Sequence, residues 1–248
     1  MVRWCPMQRL FMIYTCLAVL SACGGAPDAT PVPAPTFIPL DAALGAPRTS
    51  APIGAYLLID ASGARLVAGL SFSGGTTPAP VDSPMRQVWL DPSGAIDDIV
   101  ARVQPAGEAR YLAVAVTGAL EGPGAFGPDG AFGYRLQPRT ITPLPWQETT
   151  VALLATTPAT GQAVRVTGAL IASQNEAVLV ETLGPGGAPA PQTRQVKLRA
   201  PLRDAALLSS LTAAPGGAVH YGMVQVEGIW RDGVLVPMGM RKVQRGER

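Results

Sequence analysis

The sequence predicts a mainly β protein, and three observations carry that prediction. Among 248 residues there are 28 glycines and 25 prolines, a composition that favours short strands and frequent turns over long helices. Apolar and polar residues alternate in runs such as Tyr-x-x-Val-x-Val-x-Gly at 111–118, the period of a strand with one face toward a core. The same run recurs at 221–228, an offset of 110. With 48% hydrophobic residues the chain has enough apolar surface to build cores for one large domain or two small ones.

The N-terminus reads differently from the rest. Residues 1–9 carry Arg3 and Arg9 and no acid, and residues 10–20 are uncharged and apolar. That is the length of a signal peptide core and too short to cross a bilayer. Leu20-Ser21-Ala22-Cys23 follows at once. In this position the tetrapeptide resembles the lipobox of bacterial lipoprotein precursors: an aliphatic residue, two small ones that fit a tight peptidase site, then a cysteine. The resemblance implies cleavage after residue 22 and acylation of Cys23, with diacylglyceryl and palmitate chains as the anchor. Ordinary secretion at a small-residue cleavage site is the competing reading. Each acyl chain contributes ~0.8 kcal/mol per buried methylene, so two or three chains hold a protein on a membrane essentially permanently. The expected location is the cell membrane or outer membrane, on the extracytoplasmic side. Gly24 stands where an inner-membrane retention signal would place aspartate, so in a host with two membranes the outer one is expected.

Residues 24–52 hold seven prolines, at 27, 31, 33, 35, 39, 47 and 52. Such a stretch prefers extended polyproline conformations, so 23–52 is expected to be a lipidated stalk.

The body, 53–248, reads as a duplication. Residues 105–118 align without gaps on 215–228, with six identities in 14 positions: Pro105/Pro215, Gly107/Gly217, Tyr111/Tyr221, Val114/Val224, Val116/Val226 and Gly118/Gly228. Upstream, Arg86-Gln87-Val88 meets Arg194-Gln195-Val196, and a Gly-Gly and Pro-Ala-Pro stretch precedes each. In the first unit, 53–145, alternation and turn residues predict strands near 55–60, 64–71, 86–90, 110–120 and 131–141. Ile96, Ile99, Val100 and Val103 fall on one helical face, which predicts a helix over 96–103. The second unit, 146–248, repeats the order: strands near 163–172, 177–183 and 194–199, a helix near 202–211, then strands near 219–230 and 234–243. Three strands, a helix and two strands resemble the OB-fold, a five-stranded Greek-key barrel plugged by its helix. The expectation is two tandem OB-like barrels, each with one short helix. An immunoglobulin-like sandwich is the runner-up, and the helix in mid-unit counts against it.

Composition excludes several kinds of chemistry. Beyond residue 22 there are 17 basic and 17 acidic residues, so the mature chain is neutral and has no global nucleic-acid footprint. Cys5 and Cys16 leave with the leader, so Cys23 alone remains and neither an internal disulfide nor a cysteine metal cluster is possible. His220 is the only histidine and has no evident nucleophile or orienting partner. Asp97-Asp98 opens a predicted helix, where acids complement the dipole. The glycine-rich 122–130 lacks the Gly-Lys-Ser/Thr of a phosphate loop and reads as a hairpin turn. No cofactor and no metal site is expected.

One asymmetry remains. Residues 51–145 carry six basic and eight acidic groups, whereas 146–248 carry ten and seven. Arg194, Lys197, Arg199 and Arg203 cluster at the third strand of the second unit, and Arg241, Lys242, Arg245 and Arg248 crowd the C-terminus. In an OB-like barrel the face of strands two and three is the usual ligand face, which makes the first cluster a candidate anion-binding site. The plainer reading is a solvated strand face. The expected function is that of a non-enzymatic, membrane-tethered binding or structural lipoprotein presenting its barrels to an envelope protein or anionic polymer. An envelope hydrolase or transferase, and an accessory lipoprotein of a transport or secretion complex, are the alternatives.

Overall fold

The computed structural model describes residues 35–46, 50–73, 77–91 and 94–243. The leader, Cys23, Arg245 and Arg248 lie outside the described residues. In chain order the elements are β1 (Ile38–Pro39), α1 (Leu40–Gly45), β2 (Ile53–Asp60), β3 (Gly63–Val67), β4 (Leu70–Ser71), β5 (Ala79–Pro80), β6 (Val88–Leu90), α2 (Gly94–Val100), β7 (Gln104–Ala106), β8 (Ala109–Glu121), β9 (Tyr134–Pro143) and β10 (Gln147–Thr150). The chain continues through α3 (Val151–Leu154), β11 (Thr160–Ala172), β12 (Ala177–Val180), β13 (Gln195–Lys197), α4 (Ala205–Ser210), β14 (Thr212–Ala213), β15 (His220–Arg231) and β16 (Val234–Lys242). The protein is mainly β, as its composition predicts.

The first sheet closes on itself. Its order is β1-β2-β3-β6-β9-β8-β7, and β2 also pairs antiparallel with β8 from Ile53–Val116 to Ile59–Arg110, which makes β2, β3, β6, β9 and β8 a five-stranded barrel. The third and fifth barrel strands, β6 and β9, run parallel, and α2 lies between β6 and β8 in the chain. This is an OB-like barrel. Val114, Val116, Leu57, Leu66, Val88 and Leu136 fill its interior with no exposure, and Ile99 of α2 and Val103, just beyond the helix that ends at Val100, plug it.

The second sheet has the same internal order, β13-β12-β11-β15-β16, with α4 between β13 and β15. Val224 and Val226, the repeat partners of Val114 and Val116, are likewise fully buried in their own core with Leu170, Leu179 and Leu207. Its edges do not zip into a ladder. Between β13 and β16 there is one parallel bridge, Leu198–Leu235, with Arg199 N–H donating to the Leu235 carbonyl at 2.9 Å. Farther along the same edge β4, from the first unit, pairs parallel with β16 at Gly239–Leu70 and Met240–Ser71. The strand expected over 64–71 therefore breaks after Val67, and its end is lent to the neighbouring sheet.

The two matching sequence runs share a backbone irregularity. The β8–β9 ladder shifts register between Thr117 and Gly118, and the β15–β16 ladder shifts between Glu227 and Gly228. At each bulge the glycine lies against a carbonyl. A Cβ on Gly118 would sit 2.2 Å from the Gln137 oxygen, and one on Gly228 would sit 2.4 Å from the Val236 oxygen. Close backbone approach at a bulge is a reason for glycine that no other side chain meets.

Between the sheets runs a third core. Tyr56 and Leu58 project from the outer face of β2 and meet Ile229 and Met238 of the second sheet, together with Ala113, Ala115 and Leu144. Because Ile53, Ala55 and Leu57 on the same strand face the barrel interior, β2 is buried on both faces. That accounts for its nearly unbroken apolar sequence, since a strand covered on both sides has no polar face to alternate with. All described residues belong to one compact unit.

The end of the expected stalk also packs. Ile38 and Pro39 pair with Ile53 and Gly54, Phe37 N–H donates to Gly161 at 2.7 Å, and Leu40, Ala43 and Leu44 are buried against the first barrel. Proline spacing is blind to this, because a strand of two residues and one helical turn need only a few apolar side chains among prolines. Residues 147–154 likewise form β10 and α3, where β10 adds parallel to β11 and Thr150 caps α3 by accepting from Leu153 N–H.

Candidate ligand sites

The gap that β4 leaves beside β16 is lined with charge. Its cavity, about 140 Å³, has walls from α1, the β4–β5 segment, the chain leaving β13, and 236–240. At its centre Asp82, whose side chain has 0% exposure, pairs with Arg203 Nη1 and accepts from Ala68 N–H at 3.0 Å. Arg203 Nη2 also lies 3.3 Å from Asp41 of α1, which in turn accepts from Arg86 at 2.8 Å. Burial first, and then the neighbouring Asp41 charge, raise the Asp82 carboxyl above the usual aspartate value, while Arg203 opposes them. Asp204 caps α4. Its Oδ1 accepts from Leu207 N–H at 2.9 Å and from the Ser71 hydroxyl of β4 at 2.7 Å, while Oδ2, also buried, has no partner among the described residues.

The four cations that the sequence groups together are divided by this arrangement. Arg203 is held by Asp82 and Asp41 and leaves the cluster. Lys197 points outward from β13 while Val196 points into the core, and Arg194 and Arg199 are also exposed. None of Arg194, Lys197 and Arg199 has an ion pair among the described residues; Glu181 meets Arg194 only through a backbone bond of 3.2 Å. Arg199 additionally lines the cavity. At the C-terminus Arg241 lies over the Phe72 ring at 4.1 Å and Lys242 donates to the Ser210 carbonyl at 2.6 Å, so these two are engaged locally.

A second cleft, about 170 Å³, opens on the seam between the sheets. Buried Glu227 accepts there from the Tyr56 hydroxyl and from Arg165 Nε at 2.9 Å, and Arg165 reaches Glu148 at 2.6 Å while its guanidinium covers Trp146. Sequence reasoning missed this group, since no spacing signal connects residues 56, 165 and 227. The hint was Glu227, the one acid in β15. Asp97 and Asp98 are exposed in α2, and His220 Nδ1 is buried with no partner among the described residues. No group of three or more histidine, cysteine or acidic side chains placed to hold a metal occurs among the described residues, and no helix there is long and apolar enough to cross a membrane.

What the fold and these sites define is a class: a mainly β protein built on an OB-like barrel fused to a second sheet of the same strand order. No protein-family model, no curated protein and no solved structure matches the chain.

Proposed function

We propose that this protein is a membrane-tethered, extracytoplasmic lipoprotein that acts as a non-enzymatic binding module for an anionic envelope polymer. Cys23 carries the lipid, and the outer face of β13 carries the contact. The observation that supports the reading is the group Arg194, Lys197 and Arg199, three exposed cations within six residues that lack ion pairs among the described residues. Exposed guanidinium and ammonium groups spaced along an extended strand match the repeating negative charges of a polymer better than they match a single small anion. The anchor supports the same reading, because an acylated N-terminus holds such a face in the envelope.

The test is binding of the full-length chain, purified from membranes in detergent, to an immobilised acidic polysaccharide across a salt series. Exposed charges are screened within ~8 Å at physiological ionic strength, so binding should fall steeply with salt. Neutralising Arg194 and Lys197 together should mimic high salt. Equal retention of the wild type and the double variant, or retention only on anionic phospholipid vesicles, overturns the proposed partner.

A further inference from the structure

We infer that the cleft on the seam between the sheets is a saccharide subsite, one that takes a single sugar ring bearing a carboxylate. Tyr111 of β8 and Trp146, just ahead of β10, line it, as do three charged side chains, Arg165, Glu227 and Arg241. Two of the three satisfy each other. Arg165 is paired with Glu227 at 2.9 Å and with Glu148 at 2.6 Å, and Glu227 also accepts from the Tyr56 hydroxyl. Arg241 is different. Its guanidinium lies 4.1 Å over the Phe72 ring, a contact that fixes its position without neutralising its charge, and it has no acid partner among the described residues. Phe72 in turn lies 6.1 Å from Tyr56 and 5.5 Å from Tyr111, ring centre to ring centre, so the guanidinium is anchored beside two residues of the cleft wall. Burial raises the Tyr56 pKa and the Arg241 charge opposes that rise, which puts the same guanidinium within electrostatic reach of the Tyr56 hydroxyl.

The cleft thus offers one uncompensated cation among aromatic side chains. A simple anion would use the cation alone. A sugar acid uses both features: its carboxylate matches the planar fork of arginine, and its C–H face lies against aromatic rings, whose faces are electron-rich. Gln104, exposed and also on the wall, supplies amide donors and an acceptor for ring hydroxyls. The cleft also lies on a particular side of the second sheet. Arg165 and Ile171 share the face of β11 opposite to buried Val164, Val166 and Leu170, and Ile171, Val178 and Lys197 stand in one row across β11, β12 and β13. Arg165 therefore reaches the cleft from the same face that carries Lys197. The choice of a sugar acid rests on the reading of β13 as the contact for an anionic polymer, because a chain lying on that face brings its rings toward the cleft.

Glucuronate is the probe, glucose the uncharged control, and benzoate the flat carboxylate without a sugar ring. Calorimetry on the full-length chain in detergent should show glucuronate binding, with each control weaker by about tenfold or more, the loss of one charge-assisted pair or of the ring contacts. Arg241→Ala should weaken glucuronate by roughly the same factor. Arg241→Gln, which keeps most of the side chain over Phe72 and removes only the charge, should do the same and serves where the alanine variant fails to fold. Lys197→Ala should leave glucuronate binding unchanged while lowering retention on the acidic polysaccharide, so failure of the β13 contact and failure of the cleft appear in different measurements. Glucose or benzoate binding as tightly as glucuronate, binding of none of the three, or undiminished glucuronate binding by a folded Arg241 variant overturns the subsite.

Discussion

The hydroxyl of Tyr56 on β2 donates to the carboxylate of Glu227 on β15, joining residues 171 positions apart across the seam between the two sheets. Arg165 holds the other oxygen of the same carboxylate, so a buried charge is enclosed by one donor from the first unit and one from the second. Tyr56→Phe removes the first donor and leaves an acceptor partly unsatisfied, at a cost of about 1–3 kcal/mol in chemical denaturation.

Burial, followed by the adjacent Glu227 charge, raises the Tyr56 hydroxyl well above the ordinary tyrosine pKa of 10.0. A raised pKa in the folded state means that the native protein keeps a proton which the unfolded chain releases. Its contribution is complete below the unfolded value and is lost as pH rises from about 10 toward the folded one. Stability should therefore fall on the alkaline side of about 10, and the fall should be shallower in Tyr56→Phe. Identical alkaline profiles for the two proteins would show that the hydroxyl is not held in this way.

The bulge glycines should respond alike although they lie 110 residues apart. Gly118→Ala and Gly228→Ala each drive a methyl group into a backbone carbonyl and should destabilise by about 1–3 kcal/mol. Gly45→Ala, with nothing within 4 Å of its Cβ position, should be neutral or stabilising. Val226→Ala, buried at 0% exposure, should cost about 1–3 kcal/mol through transfer and cavity effects. Thermal or urea melts on all four variants check the set.

For the segment before β2, packing and charge predict different magnitudes. Leu40→Ala empties a site with 1% exposure and should cost about 2–5 kcal/mol. Asp41→Asn removes ion pairs whose arginines are more than 40% exposed and should cost less than about 1 kcal/mol. A neutral Leu40→Ala would return residues 37–46 to the extended stalk that the prolines of 24–52 suggest.

Cys23→Ser should release the protein from membranes or leave an unprocessed precursor, read by membrane fractionation and intact mass. Unchanged mass and unchanged fractionation of the serine variant would remove the lipid anchor from the proposed function.

Elements whose cause is local could be read from the chain. The alternation at 111–118 and 221–228 marks β8 and β15, and the spacing of Ile96 and Ile99 marks α2, because periodicity records which side of an element meets a core. The fate of β4 was not legible. Nothing in Leu70-Ser71 says which of two nearby edges it will join. The same limit hid the cavity: Asp41, Asp82, Asp204 and Arg203 are far apart in sequence and meet only after the strand has crossed over. Arg203 looked like a member of a basic cluster because its carboxylate partners lie 121 and 162 residues away.

The loan of β4 has an evolutionary corollary. Tandem copies of a small barrel usually remain modular, able to be deleted, multiplied or shuffled as separate cassettes. Here the first copy supplies an edge strand to the second, and the second supplies the carboxylate that satisfies the buried tyrosine of the first. Excising either copy would strand an unpaired edge or an unpaired hydrogen-bonding group in the other. The two units are therefore not separable modules, since each supplies the other with a strand or a hydrogen-bonding partner.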